Sequence, residues 1–170
     1  MKIRDWMATP VEVAKPLDSL LLARSRLEKH RINQLPVVVN NRLVGIITDR
    51  DLRDAFPSVL DIDGRRRVQK MLAGPERVNV ESVMTGDVLT LGPEDTVEAA
   101  AQIMRRERIG AIPILEEGRL VGILTRSDLL DAYVALAAQL AVGEISAEAT
   151  PLESAPRKSL AKRPRRVTRR

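Results

Sequence analysis

Apolar and polar residues along this chain fall into short blocks whose order occurs twice. A short extended piece, Val11-Glu12-Val13, leads into Pro16 and Asp18, and Val88-Leu89-Thr90 leads into Pro93 and Asp95. An aspartate just ahead of a helically periodic run reads as an N-cap, and Glu98 after Asp95 completes a capping-box pattern. The periodicity predicts helices over 18–30 and 95–108. Leu17, Leu20, Leu21 and Leu27 make the apolar face of the first, and Val97, Ala100, Ala101 and Met104 that of the second.

A hairpin follows each helix. Leu35-Pro36-Val37-Val38-Val39 and Leu43-Val44-Gly45-Ile46-Ile47 flank Asn40-Asn41, and Ile112-Pro113-Ile114-Leu115 and Leu120-Val121-Gly122-Ile123-Leu124 flank Glu116-Glu117-Gly118. Asn and Gly supply the positive φ that tight hairpin turns need. The proline in each first strand places that strand at an edge, or at its own beginning. A second helix starts at Thr48 and at Thr125, the later one running on through Leu136, Ala137, Ala138 and Leu140 to about Val142.

The two copies align without a gap. Shifted by 77 positions, residues 3–56 fall on 80–133, and Arg42-Leu43-Val44-Gly45-Ile46 meets Arg119-Leu120-Val121-Gly122-Ile123. Met7, Pro16, Asp18, Arg31, Ile32 and Pro36 meet identical residues at Met84, Pro93, Asp95, Arg108, Ile109 and Pro113. A unit this short buries too little surface alone, so the pair is expected to form one module.

Composition narrows the chemistry. The chain has 170 residues and is 44% hydrophobic, but only Trp6, Phe56 and Tyr133 are aromatic, so the core is aliphatic. A ligand base would sit between aliphatic side chains. With no cysteine and a single histidine, His30, the sequence offers no disulfide, thiol nucleophile, metal cluster or catalytic triad. No catalytic and no metal-ligating residue is assigned, no cofactor is required, and the chain is expected not to be an enzyme. The net charge of +5 conceals two parts: residues 157–170 hold eight bases and no acid, leaving 20 bases against 23 acids elsewhere, a charge of −3. No apolar run is long enough to span a membrane and the start lacks a signal-peptide core, so a cytoplasmic protein is expected.

The sharpest local pattern is Gly45-Ile46-Ile47-Thr48-Asp49-Arg50-Asp51-Leu52, echoed by Gly122-Ile123-Leu124-Thr125-Arg126-Ser127-Asp128-Leu129. Thr-x-x-Asp before an apolar run is an ordinary helix-start box. Here both boxes follow directly on a glycine-containing strand, which points free helix amides into a crevice. Threonine and aspartate there suit a sugar diol and phosphate, and glycine in the strand would let a flat base approach the backbone.

The repeat resembles the cystathionine-β-synthase (CBS) domain, and residues 1 to about 142 resemble a tandem pair, or Bateman module. The matching residues are Trp6-Met7 and Val83-Met84-Thr85, the Leu35-Pro36-Val37-Val38 and Ile112-Pro113-Ile114 strands, and the closing Thr-x-x-Asp-Leu in both copies. The resemblance implies an α+β fold of two β-α-β-β-α repeats packed as a pseudo-twofold pair. It also implies clefts that bind AMP, ADP, ATP or S-adenosylmethionine. Carried over by position, Thr48 with Asp51 and Thr125 with Asp128 match ribose and phosphate contacts. Asn33, Gln34, Gly110 and Ala111 match positions lining base and phosphate. The arginine or histidine that some members carry there is absent, and Arg31, Arg50, Arg108 and Arg126 are candidates to compensate. The Thr-Asp-Arg-Asp-Leu run also resembles the CBS pair of IMP dehydrogenases, whose catalytic barrel this chain is too short to hold.

The expected organisation is a first repeat over 1–57, a linker over 58–79 with a short helix at Arg65 to Leu72, a second repeat over 80–142, and a disordered basic tail over 143–170. The expected function is a sensor that binds an adenosine-containing small molecule and regulates a client enzyme or transporter, as a homodimer through the helices at 18–30 and 127–141. Two alternatives stand beside it: a nucleic-acid-binding protein using residues 157–170, with the pair as dimeriser, and a ligand-free protein–protein adaptor.

Overall fold

A computed structural model of the protein describes residues 1–55 and 78–148. The expected helix at Arg65 to Leu72 and the basic stretch 157–170 lie outside the described residues. Both hairpins form as the alternation requires. β1 (Gln34–Val39) pairs antiparallel with β2 (Arg42–Thr48), and β3 (Ala111–Glu116) with β4 (Arg119–Thr125). The turns are two residues each, Asn40-Asn41 at φ 50° and 64° and Glu117-Gly118 at 49° and 75°, the left-handed pair that suits the twist of the strands. Glu116 therefore stays in its strand.

The expected first strand of each unit is reduced to one parallel bridge, Ala14 on Val37 and Leu91 on Ile114. This explains the prolines. The Pro36 carbonyl accepts from the Ala14 amide at 2.9 Å, so its nitrogen faces that same, barely occupied side. Pro113 accepts from Leu91 in the same way, at 3.3 Å.

Four α-helices are described: α1 (Leu20–His30), α2 (Asp49–Ala55), α3 (Val97–Glu107) and α4 (Arg126–Glu148). Their caps differ from the sequence expectation. Ser19 Oγ accepts from the Leu22 amide and Thr96 Oγ1 from Ala99, so the caps are Ser19 and Thr96. Asp18 and Asp95 instead close the turn before the cap, accepting from the Lys15 and Gly92 amides at 2.9 and 2.7 Å. Asp18 also takes the Arg26 guanidinium at 2.8 Å. Glu98 does not return to Asp95 but faces the Met1 ammonium at 3.4 Å. A hydrogen bond to its own backbone amide, assisted by that ammonium, holds the Glu98 carboxyl below the usual carboxylate range. The later cap leaves Leu17 ahead of the helix at 73% exposure, while within α1 the buried face is Leu20, Ala23 and Leu27, with Leu21 beside it at 40% exposure. α3 buries Val97, Ala100 and Met104 as expected, with Ala101 half-buried. α4 runs to Glu148, past the expected end near Val142, since the first proline beyond it is Pro151.

The two repeats exchange their lead-in segments. Residues 1–8 lie on the second repeat and residues 78–85 on the first. Ile3, fully buried, belongs to the core of Val97, Ala100, Met104, Ile112, Ile114, Leu124 and Ala132, with Trp6 and Met7 packed against it. Val80, equally buried, completes the core of Ala14, Leu20, Ala23, Leu27, Leu35, Val37, Ile47 and Leu52, with Val78, Val83 and Met84 beside it. Each exchanged segment also caps a helix of its host: Leu20 donates its amide to Val78 O at 3.1 Å, and Val97 to Met1 O at 3.0 Å. Each then adds a bridge to the host hairpin, Ala8 on Ile123 and Thr85 on Ile46.

Gly45 and Gly122 are where this exchange is tightest. A Cβ on Gly45 would stand 2.5 Å from Met84 Sδ and 3.0 Å from the Thr85 carbonyl, and one on Gly122 would overlap the Met7 side chain. The glycines therefore admit the partner repeat's methionine, which corrects the expectation that they open the strand to a ligand base. The resulting compact unit spans Met1–Ala135; the rest of α4 belongs to a second unit from Leu136 onward.

Burying an Ile or Val side chain contributes about 1.5–3 kcal/mol, so neither repeat retains its core when cut from the other. A fragment of residues 1–76 lacks Val80 and Met84 and leaves Ile3, Trp6 and Met7 without a host. It is expected to show no cooperative thermal transition by circular dichroism, and to regain one when mixed with residues 77–170. A monomeric fragment melting cooperatively by itself would contradict the exchange.

Candidate functional site

Because the lead-in segments cross, each cleft between the repeats is walled by both. The first, about 630 Å³, is walled by Pro10, Val11 and Glu12, by His30 to Gln34 after α1, and by Thr125 to Asp128 at the start of α4. The second, about 760 Å³, is walled by Asp87, Val88 and Leu89, by Glu107 to Ala111 after α3, and by Thr48 to Asp51 at the start of α2. These volumes lie within the range of small-molecule sites. The pseudo-twofold relation thus sets the strand-to-helix corner of one repeat against the helix end of the other.

The corners are built alike. Asp51 Oδ2 accepts from the Thr48 amide at 2.8 Å and from the Thr48 hydroxyl at 2.7 Å, while Thr48 Oγ1 accepts from the Asp51 amide at 3.3 Å. Asp128 Oδ2 accepts from the Thr125 amide at 2.6 Å and from its hydroxyl at 2.8 Å. The capping box is therefore complete at the first corner, where it takes up the Asp51 amide, while at the second the box is formed from the Asp128 side alone. A further amide at each corner is tied across the fold, Asp49 to Asn33 O at 2.9 Å and Arg126 to Gly110 O at 3.2 Å. Asp51 and Asp128 line the clefts, and no hydrogen bond among the described residues uses their Oδ1. A carboxylate fixed through one oxygen presents the other as a preorganised acceptor for a hydroxyl pair.

Every sequence-derived site residue lines one cleft or both. Thr125 and Asp128 lie in the first; Thr48, Asp51, Arg50 and Ala111 lie in the second; Asn33, Gln34, Gly110 and Arg126 lie in both. Gly110 sits where the clefts meet, and a Cβ there would stand 3.1 Å from Gln34 Nε2. Aliphatic residues absent from that set complete the walls: Val11, Ile32 and Ile123 in the first cleft, Val88, Ile109 and Ile46 in the second. Their identical spacing in the two repeats was the available signal. His30, at the end of α1, lines the first cleft with Nε2 3.7 Å from Glu12 Oε1.

The CBS-domain family model matches residues 3–58 and 80–135, two copies that cover most of the chain. The chain belongs to the CBS-domain family. A CBS domain-containing protein of Dictyostelium discoideum is 40% identical over 122 residues, which are 69% of this chain and 81% of that protein. Among solved CBS structures, CBSX2 of Arabidopsis thaliana in complex with AMP is 26% identical, with a TM-score of 0.66 over 79% of this chain and 97% of that one. The CBS pair of protein MJ0100 in complex with 5′-methylthioadenosine and S-adenosyl-L-methionine is 28% identical, with a TM-score of 0.63 over 79% and 97%. Other CBS relatives are longer: this chain spans 23% of an inosine-5′-monophosphate dehydrogenase of Korarchaeum cryptofilum.

Losing an N-cap side chain costs about 0.5–2 kcal/mol. Thr48→Val and Thr125→Val keep the shape of the side chain but remove the hydroxyl, and each is expected to lower the unfolding free energy from urea titration by an amount in that range, seen as a lower urea midpoint at unchanged slope. Unchanged midpoints would mean that the carboxylates are held by something other than these threonines.

Proposed function

We propose that this CBS pair is a regulatory module that binds an adenosine-containing ligand in its two clefts and, through that ligand, controls a partner enzyme or transporter. The observation that carries the reading is the pair of threonine-fixed carboxylates, Asp51 and Asp128, each on the wall of a small-molecule-sized cleft with an aliphatic lining. The free carboxylate oxygen accepts from the ribose hydroxyls. The base lies between aliphatic side chains, Val11 and Ile32 in one cleft and Val88 and Ile109 in the other. AMP in the CBSX2 structure and the adenosine ligands in the MJ0100 structure support that chemistry.

A ligand that binds only the folded state stabilises it by about 2.7 kcal/mol at 100 times Kd. AMP, ADP, ATP or S-adenosylmethionine is therefore expected to raise the melting temperature of the purified chain. Asp51→Asn and Asp128→Asn retain an acceptor for the cap but lose the charge, and each is expected to reduce the shift. A folded protein, free of bound nucleotide, that responds to none of these ligands would exclude the reading.

The module also works as a homodimer in this reading. Leu130, Tyr133 and Val134 on α4 are 65%, 67% and 63% exposed, and Leu17 ahead of α1 is 73% exposed, an apolar surface of the kind that marks an interface. Sedimentation at micromolar concentration is expected to give twice the 18.9 kDa chain mass. A single monomeric species would contradict it.

A further inference from the structure

Arg31 and Arg108 hold the same place in the two repeats and share a backbone conformation that arginine rarely takes. Each is the residue just after a helix, α1 or α3, and each is left-handed, with φ 53° and 57°. At Arg31 the amide closes on the Glu28 and Leu27 carbonyls, and the next amide, of Ile32, returns to Leu27 O at 3.0 Å. Glycine is the usual residue at such a helix end, because a Cβ meets the neighbouring carbonyl there. Both repeats carry arginine instead.

The side chains give a reason. Arg31 lines the cleft of Thr125 and Asp128, and Arg108 the cleft of Thr48 and Asp51. Neither takes part in an ion pair among the described residues, whereas Arg24, Arg26, Arg53 and Arg106 on the helices each hold a carboxylate. Arg50 and Arg126 are equally without an ion pair, but they stand in the same helix starts as Asp51 and Asp128, so Arg31 and Arg108 are the uncommitted guanidinium groups that each cleft brings to a fixed carboxylate from the other repeat. A guanidinium fork matches phosphate oxygens in pairs. Resting on the function proposed above, we infer that Arg31 and Arg108 are the phosphate-selecting residues, one per cleft, so that the ligand class is an adenosine 5′-phosphate rather than adenosine or the sulfonium S-adenosylmethionine. The left-handed backbone persists because the position is kept for its side chain.

The test measures AMP, adenosine and S-adenosylmethionine binding by calorimetry in the full chain, together with ligand-free melting temperature. The wild type is expected to bind AMP more tightly than the other two. In Arg31→Gly/Arg108→Gly the AMP-to-adenosine affinity ratio is expected to fall about tenfold or more, the size of one lost charge-assisted hydrogen bond. Adenosine affinity is expected to stay unchanged and the ligand-free melting temperature to rise. Arg31→Lys/Arg108→Lys is expected to keep much of the ratio without the rise in melting temperature. Arg31→Asn/Arg108→Asn, which tolerates the left-handed backbone, gives a second measure of the ratio should the glycine variant fold poorly. An unchanged ratio in the glycine or asparagine variant would overturn the inference while leaving the proposed function standing, as would a wild type binding adenosine or S-adenosylmethionine as tightly as AMP. A ligand-free melting temperature that falls in the glycine variant would overturn the claim that the side chain, against its backbone cost, keeps arginine there. A wild type that binds none of the three would remove the proposed function and the inference together.

Discussion

The contact on which this structure depends is a methionine of one repeat lying over a glycine in the other. Met84 sits on Gly45 and Met7 on Gly122, each too close for a Cβ on the glycine. These contacts lock in the exchanged lead-in segments, whose buried Ile3 and Val80 complete the two cores. The same segments supply the carbonyls of Met1 and Val78 that accept the first amides of α3 and α1. Sequence repeat and packing unit are therefore different objects. Two small sheets, each with two strands, become stable by sharing their edges and cores.

The exchange also makes the clefts. A lead-in segment that crosses to the other repeat must pass between its own helix end and the other repeat's strand-to-helix corner. The walls of each cleft accordingly come from both copies, and a change in the relation of the repeats alters both clefts together. The first residues of α4 form one of these corners, so the helix that carries the exposed Leu130, Tyr133 and Val134 begins in the wall of the first cleft. The corner itself combines two roles in one side chain. Asp128 uses Oδ2 to start the helix and leaves Oδ1 without a partner among the described residues, on the wall of the first cleft, so the carboxylate that the proposed function would use is already positioned by folding.

The two clefts are related but unequal. Arg126 lines both, while its counterpart Asp49 lines only one and is paired with Arg53 at 3.0 Å. Glu12 and His30 in the first cleft correspond to Leu89 and Glu107 in the second. Arg126 against Asp49, and Glu12 against Leu89, make a shared backbone geometry present two electrostatic environments.

Much of this was legible along the chain because it depends on local periods and turn chemistry. Hairpin alternation, the Asn40-Asn41 turn, the Thr-x-x-Asp boxes and the repeat itself are set by neighbours within a few residues, and those elements form where the pattern places them. The cap choice at α1 was not legible: Asp18 and Ser19 both suit a helix start, and only the turn that Asp18 closes with Lys15 and Arg26 passes the cap to Ser19. That one-residue shift leaves Leu17 outside the helix, while packing chose Leu20, Ala23 and Leu27 rather than Leu21 as the buried face. Nor did the sequence reveal which repeat each lead-in segment joins, since Met7 and Met84 are identical and either pairing satisfies the same pattern. Tertiary packing decided it, because only the crossed arrangement lays Met84 over Gly45 and Met7 over Gly122 while burying Ile3 and Val80. The sequence alone determined which residues carry the candidate chemistry; the crossing determined which of them face one another.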